Sequence, residues 1–178
     1  ALDYACCNNF IVVDTYLSSD AAGAVVSLVG RNEGGKTLSR SVVDFVLNDV
    51  ANYFDPEHVR STYNCKKVIA LVRRVATMAI ADANKKLMIH HDKLLGCLVA
   101  GLLLEEDNPR RDQDGAHALQ EMSAGVLHEL ALFAPGAAVL RSDRRTMSAL
   151  HVLSDVGTKE ARERAAGALF ELDEETRS

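Results

Sequence analysis

The sequence predicts an all-α chain, and within that class a right-handed α-solenoid of about four helical repeats. Three observations carry the prediction. Leu, Ala and Val dominate the 178 residues, aromatic residues make up only 5% and Trp is absent, a composition suited to helix packed on helix rather than sheet on sheet. Apolar residues recur at spacings of three and four over most of the chain, the period of a helix face. Finally, Ala166-Gly167-Ala168-Leu169-Phe170-Glu171-Leu172 repeats Ala124-Gly125-Val126-Leu127-His128-Glu129-Leu130 at an offset of 42 residues, and Ala22-Gly23-Ala24-Val25-Val26-Ser27-Leu28 is a looser third copy. A second string, Val-Leu-(Asn/Ser)-Asp-Val, occurs at 46–50 and at 152–156. Self-similarity at roughly 40 to 47 residues in a helical sequence marks a stack of helical units, because one such unit cannot bury its apolar face alone.

Taken in order, residues 3–17 place Tyr4, Ile11, Val12, Tyr16 and Leu17 on one side of an expected helix, and Ser18-Ser19-Asp20 supplies a turn and cap for a second, 21–29. The glycine-rich stretch 30–36 is the first break. A helix over 38–53 buries Val42, Val43, Phe45, Val46, Val50 and Tyr53 and stops at Asp55-Pro56, where Pro56 disfavours helix in the residue before it. A short helical turn at 56–62 leads to a helix over 65–82, apolar around most of its circumference. Another runs from 86 to 106 and is stopped by Glu105-Glu106-Asp107-Asn108-Pro109. Helices follow over 114–133, ended by Ala134-Pro135-Gly136, then over 143–155 from a cap at Ser142 or Asp143, and over 159–172 after Gly157-Thr158. The expected organisation is a single domain over 1–178, with units of roughly 3–29, 37–83, 86–133 and 137–172.

Composition bounds the function. A hydrophobic share of 48% is ample for a core, and a formal charge of −5 with pI near 5.7 gives no general electrostatic reason to bind nucleic acid. Cys6, Cys7, Cys65 and Cys97 sit in no CxxC spacing and read as buried free thiols of a reducing compartment, the cytoplasm or the nucleus. No secretory or transit pattern opens the chain, and the most apolar run, Leu94–Leu104, is 11 residues, too short to span a bilayer. No membrane partner is expected.

The segment from Ser148 to Leu172 resembles the armadillo repeat, its second helix followed by a third that reads as small apolar residues, Leu, a polar residue and a final Leu. The resemblance implies third helices stacked side by side along a concave groove that holds an extended peptide. Where importin-type members of that family carry Trp and Asn on the groove, this chain has Gly125 and Gly167, and Glu129 and Glu171. A groove with repeated glutamates suits a Lys- or Arg-bearing segment. The implied function is therefore non-enzymatic: a scaffold or adaptor for a protein or peptide partner, with Glu129 and Glu171 as contacts and Gly125 and Gly167 permitting close approach. Self-association through the end repeats is a further expectation, because an uncapped repeat leaves an apolar face open. Arg73 and Arg74, two cations on an otherwise apolar helix, must reach solvent, a carboxylate or the groove.

One motif competes. Gly30-Arg31-Asn32-Glu33-Gly34-Gly35-Lys36-Thr37 matches the phosphate-binding pattern GxxxxGK(S/T), in which backbone N–H groups wrap a phosphate at a helix start. Ala24–Val29 would be its strand, and Leu38 onward its helix. Against nucleotide binding stands the absence of any series of buried strands after Thr37 to form a parallel sheet. No catalytic triad and no cofactor are expected. His90-His91-Asp92 diverge around a helix, and His117 and His128 stand about 16 Å apart along the axis, so no metal site is expected either.

Overall fold

The computed structural model describes residues 5–7, 10–12, 19–30, 37–54, 65–106, 108 and 110–174. Among them helix predominates: α1 (Ser19–Gly30), α2 (Arg40–Phe54), α3 (Cys65–Met78), α4 (Asp82–Met88), α5 (Leu94–Gly101), α6 (Ala116–Ala131), α7 (Ala134–Ser142), α8 (Arg144–Val156) and α9 (Lys159–Glu174). Three of the longer helices bury the same stripe. Val68, Val72 and Val75 of α3 with Ala79 just after it, Leu119, Ser123, Val126 and Leu130 of α6, and Ala161, Ala165, Ala168 and Leu172 of α9 form these stripes, each set spaced four, three and four and each residue at 1% exposure or less. These three helices lie side by side, with α6 in the middle. Helix α6 also packs against α5 and α7; α2 packs on α5, α5 on α8, and α4 on α7.

Local chemistry sets the helix ends. The Asp143 carboxylate caps α8, accepting the N–H of Arg145 at 3.0 Å and the Thr146 hydroxyl at 3.0 Å. Thr158 Oγ1 accepts the Ala161 N–H at 3.3 Å and so opens α9. Pro135 lies in the first turn of α7, where its missing N–H costs nothing, and α6 and α7 meet at 115°. Gly115 starts α6 at φ 93°, and a Cβ there would lie 2.9 Å from Ile69 Cδ1, so glycine is required both by conformation and by space.

Two expectations are corrected. The helix expected over 3–17 is replaced, in its described part, by two strands, β1 (Ala5–Cys7) and β2 (Phe10–Val12), antiparallel with Cys6 opposite Ile11. Strand β2 also runs parallel to the short β3 (Thr37–Leu38), with α1 crossing between them. Cys7 pairs with Phe10, and two short apolar runs separated in the sequence by Asn-Asn were the overlooked hairpin signal.

The helices expected over 65–82 and 86–106 are also divided differently. Helix α3 ends at Met78, α4 spans Asp82–Met88, α5 begins at Leu94, and Leu102–Leu104 is not helical, with Leu103 at φ 53°. Polar anchors account for the breaks. Asn84 is 1% exposed and its Oδ1 accepts the Leu38 N–H at 3.0 Å, tying α4 to strand β3. Gln120 of α6 donates to the Leu102 carbonyl at 2.7 Å and accepts the Thr158 N–H at 3.0 Å, so one side chain meets both the end of α5 and the start of α9. Buried Arg110 donates to the Tyr53 carbonyl and lies 5.3 Å from the Phe54 ring centroid, while its own carbonyl accepts the Cys65 thiol at 3.5 Å. The expected turn at 56–62 lies outside the described residues.

Cys65 and Cys97 are buried free thiols. Burial pushes Cys97 up from 9.0 to about 11. Because its folded pKa lies above its unfolded one, its stabilising contribution is full below pH 9 and is lost as pH rises towards 11. The native protein at pH 8 should leave Cys97 unmodified by an aromatic disulfide reagent. Stability measured in urea should fall by about 2–3 kcal/mol across that alkaline window through this group, and Cys97→Ala should remove that share of the slope.

Candidate functional site

Helices α6 and α9 carry one pattern twice, Glu121–Gly125–Glu129 and Glu163–Gly167–Glu171, spaced i, i+4, i+8 and set 42 residues apart. That spacing drifts only about 40° per step around a helix, so each set forms a continuous stripe. The two helices form the most extensive helix–helix contact among the described residues. Glu121 and Glu163 are exposed; Gly125, Glu129, Gly167 and Glu171 are half-buried.

The structure separates the residues singled out from sequence. Glu129 lies 3.8 Å from the Lys85 ammonium of α4, whose side chain is only 6% exposed. Lys85 also pairs with Asp82 at 3.1 Å and stands 6.0 Å from the Phe133 ring centroid. A buried ammonium needs such anions to offset its lost hydration, so the Glu129 charge is engaged inside the chain. Gly167 does permit close approach, but the space is taken by His128 of α6: a Cβ on Gly167 would lie 2.9 Å from its Nε2. Gly125 faces open space. Glu171 remains half-buried at the end of its stripe, and Arg73 is exposed on α3. Arg74, aligned by the shared buried stripe with Gly125 and Gly167, is half-buried with its guanidinium against Gly23 of α1, where a Cβ would meet Arg74 Cζ at 2.7 Å.

Sequence reading missed Glu121 and Glu163, although they stand one turn before Gly125 and Gly167 at the same offset. It also missed Lys85, whose only signal was a Lys85-Lys86 pair in an apolar stretch. The surface polarity changes along the three helices: α3 exposes Lys66, Lys67 and Arg73, whereas α6 exposes Glu121, and α9 exposes Glu160 and Glu163 among mixed charges. Lys66 binds Asp114 at 2.7 Å, and this hydrogen bond holds the Asp114 carboxyl below its ordinary range.

A pocket of about 390 Å³ opens where the start of α6 meets the α8–α9 turn, lined in part by Leu103, Asp112, His117, Gln120, Val156 and Thr158. Its Gln120 amide is engaged at both ends, and Asp112 and His117 are exposed, an arrangement with no aligned nucleophile and base. Among the described residues no three His, Cys, Asp or Glu side chains converge as metal ligands. His91 Nδ1 instead accepts the Lys93 N–H at 3.4 Å. Of the phosphate-loop match, residues 31–36 lie outside the described residues, and its flank 24–29, which a phosphate loop needs as a strand, belongs to helix α1. No helix among the described residues is long and apolar enough to cross a membrane.

The Lys85 junction gives a contrast in stability. Lys85→Met keeps the apolar stem and leaves its two carboxylates with access to water, so it should change unfolding free energy by about 1 kcal/mol or less. Lys85→Glu adds a third anion at a buried position and should cost about 3–5 kcal/mol, read as a matching loss in the urea midpoint. No protein-family profile, curated protein sequence or solved structure matches this chain.

Proposed function

We propose that the chain is a non-enzymatic scaffold of armadillo-like helical units, which holds an extended, basic protein segment against the adjacent stripes of α6 and α9. The observation that carries this reading is the in-register pair of exposed carboxylates, Glu121 and Glu163, on two helices packed side by side. The order of elements supports the architecture: a short helix followed by two more occurs at α4–α5–α6 and again at α7–α8–α9, and helices of the same rank pack on each other. The sharp bend between α6 and α7 is what such a unit junction requires. Adjacent packed helices stand about 8–10 Å apart, which an extended chain covers in about three residues at ~3.3 Å each. The ligand is therefore a segment with two Lys or Arg residues at that spacing, one for each exposed glutamate. Arg73, exposed on α3, sets the direction, favouring an acidic residue beyond the basic pair.

A library of extended peptides with paired lysines at varied spacing, read by fluorescence anisotropy, tests the proposal. Binding should peak at a spacing of about three residues, weaken with salt, and fall at least tenfold in the Glu121→Lys, Glu163→Lys double variant. Glu129→Gln should leave it nearly unchanged, since that carboxylate serves Lys85. Binding that ignores both the spacing and the double variant would remove the groove from the account. Millimolar ATP or GTP with Mg²⁺ should leave the thermal midpoint in place; a shift abolished by Lys36→Ala would instead favour the phosphate-loop reading.

A further inference from the structure

Helix α6 touches the glutamate stripe of α9 through a side chain whose hydrogen bonding is incomplete. His128 lies against Gly167, where a Cβ would sit 2.9 Å from its Nε2. Around α6, His128 follows Glu121 by seven residues, which returns it to within about 20° of the same direction, about 10 Å further along the axis. Gly167 follows Glu163 by four residues, one turn along the α9 stripe. The face of α6 that carries Glu121 therefore also carries the residue that meets the Glu163 stripe of α9.

The ring is half-buried, and its Nδ1 is sealed from solvent with no hydrogen-bond partner. A proton on Nδ1 would be a buried donor with nothing to accept it, so the single proton of the uncharged imidazole belongs on Nε2. Nε2 is not sealed in this way, and among the described residues nothing accepts its proton. One N–H donor is thus left over where the two helices meet, on a ring seated against a glycine. Glu163 and Glu171 stand one turn before and one turn after Gly167, and they would repel an anionic acceptor. An uncharged acceptor fits. An extended segment crossing the two helices offers one at every residue, its backbone carbonyl.

We propose that the Nε2–H of His128 donates to a backbone carbonyl of the bound segment where that segment crosses from α6 to α9. This contact presupposes the peptide site proposed above and adds to it a grip that is blind to side-chain sequence. The glutamates select the charges and their spacing; His128 fixes the path of the chain between them.

The full chain and a set of paired-lysine peptides at the best spacing provide the test, each amide between the lysines being replaced in turn by an ester, whose carbonyl is a weaker acceptor. At one position the ester should weaken binding to the unsubstituted chain about fivefold, and it should cost nothing extra in His128→Phe, which keeps a ring over Gly167 but has no donor. His128→Phe should itself bind the all-amide peptide about fivefold more weakly, and His128→Gln, which restores an N–H near the Nε2 position, should recover most of that loss. Both variants should keep the circular dichroism spectrum. Nitrogen-15 NMR of the unsubstituted chain reads the contact independently of any substitution: saturating all-amide peptide should slow exchange of the Nε2 proton with solvent. Equal binding by His128→Phe, an ester cost that is the same in both chains, or an Nε2 proton indifferent to bound peptide would overturn the proposal and leave the glutamate site standing. No binding of any paired-lysine peptide by the unsubstituted chain would overturn both.

Discussion

The close seating of α6 between α3 and α9 is the constraint on which the rest of the structure depends. Hydrophobic burial supplies the attraction, but small side chains decide how near the helices come. Helix α9 meets the interior with Ala161, Ala165 and Ala168, and Gly167 accepts the His128 ring. A Cβ at Gly101, at the end of α5, would lie 2.2 Å from Ser123 Oγ of α6, so that contact too is set by the absence of a side chain. Such approaches leave little freedom to slide, because a shift of one residue would bring a larger side chain against the neighbouring backbone.

Apolar contact is non-directional, and the directional element comes from a few buried polar groups. Asn84, Lys85, Arg110 and Gln120 each join segments far apart in sequence: α4 to strand β3, α4 to α6, the α5–α6 loop to the end of α2, and α6 to two helix ends at once. Together they fix the rotation of each helix about its axis, which burial alone leaves loosely specified.

The sequence announced these features unevenly, for physical reasons. Helices α8 and α9 were legible to within two residues at each end, because Asp143 and Thr158 cap them from the chain immediately before and the apolar spacing is uninterrupted. The division of 82–106 into α4 and α5 was not, since its causes lie elsewhere: the partner of Asn84 is Leu38, and Leu102 is held by Gln120. The glutamate stripe was half legible. Repetition pointed to Glu129 and Glu171 because they fall inside the repeated heptapeptide, whereas the exposed members, Glu121 and Glu163, lie just outside it. That Glu129 belongs to Lys85 depends on a contact between α4 and α6 that no local pattern encodes. At the N-terminus, apolar residues spaced by chance for a helix concealed a pair of three-residue strands.

Lys85 and Lys86 are chemical twins in the chain and opposites in the fold, one nearly sealed between α4 and α6 and the other in solvent. An acylating reagent would therefore tag Lys86 at the rate of a free amine and reach Lys85 only when α4 lifts away from α6. The ratio of the two products in a single peptide is an internal clock for the opening of this junction, read against a reference one residue away.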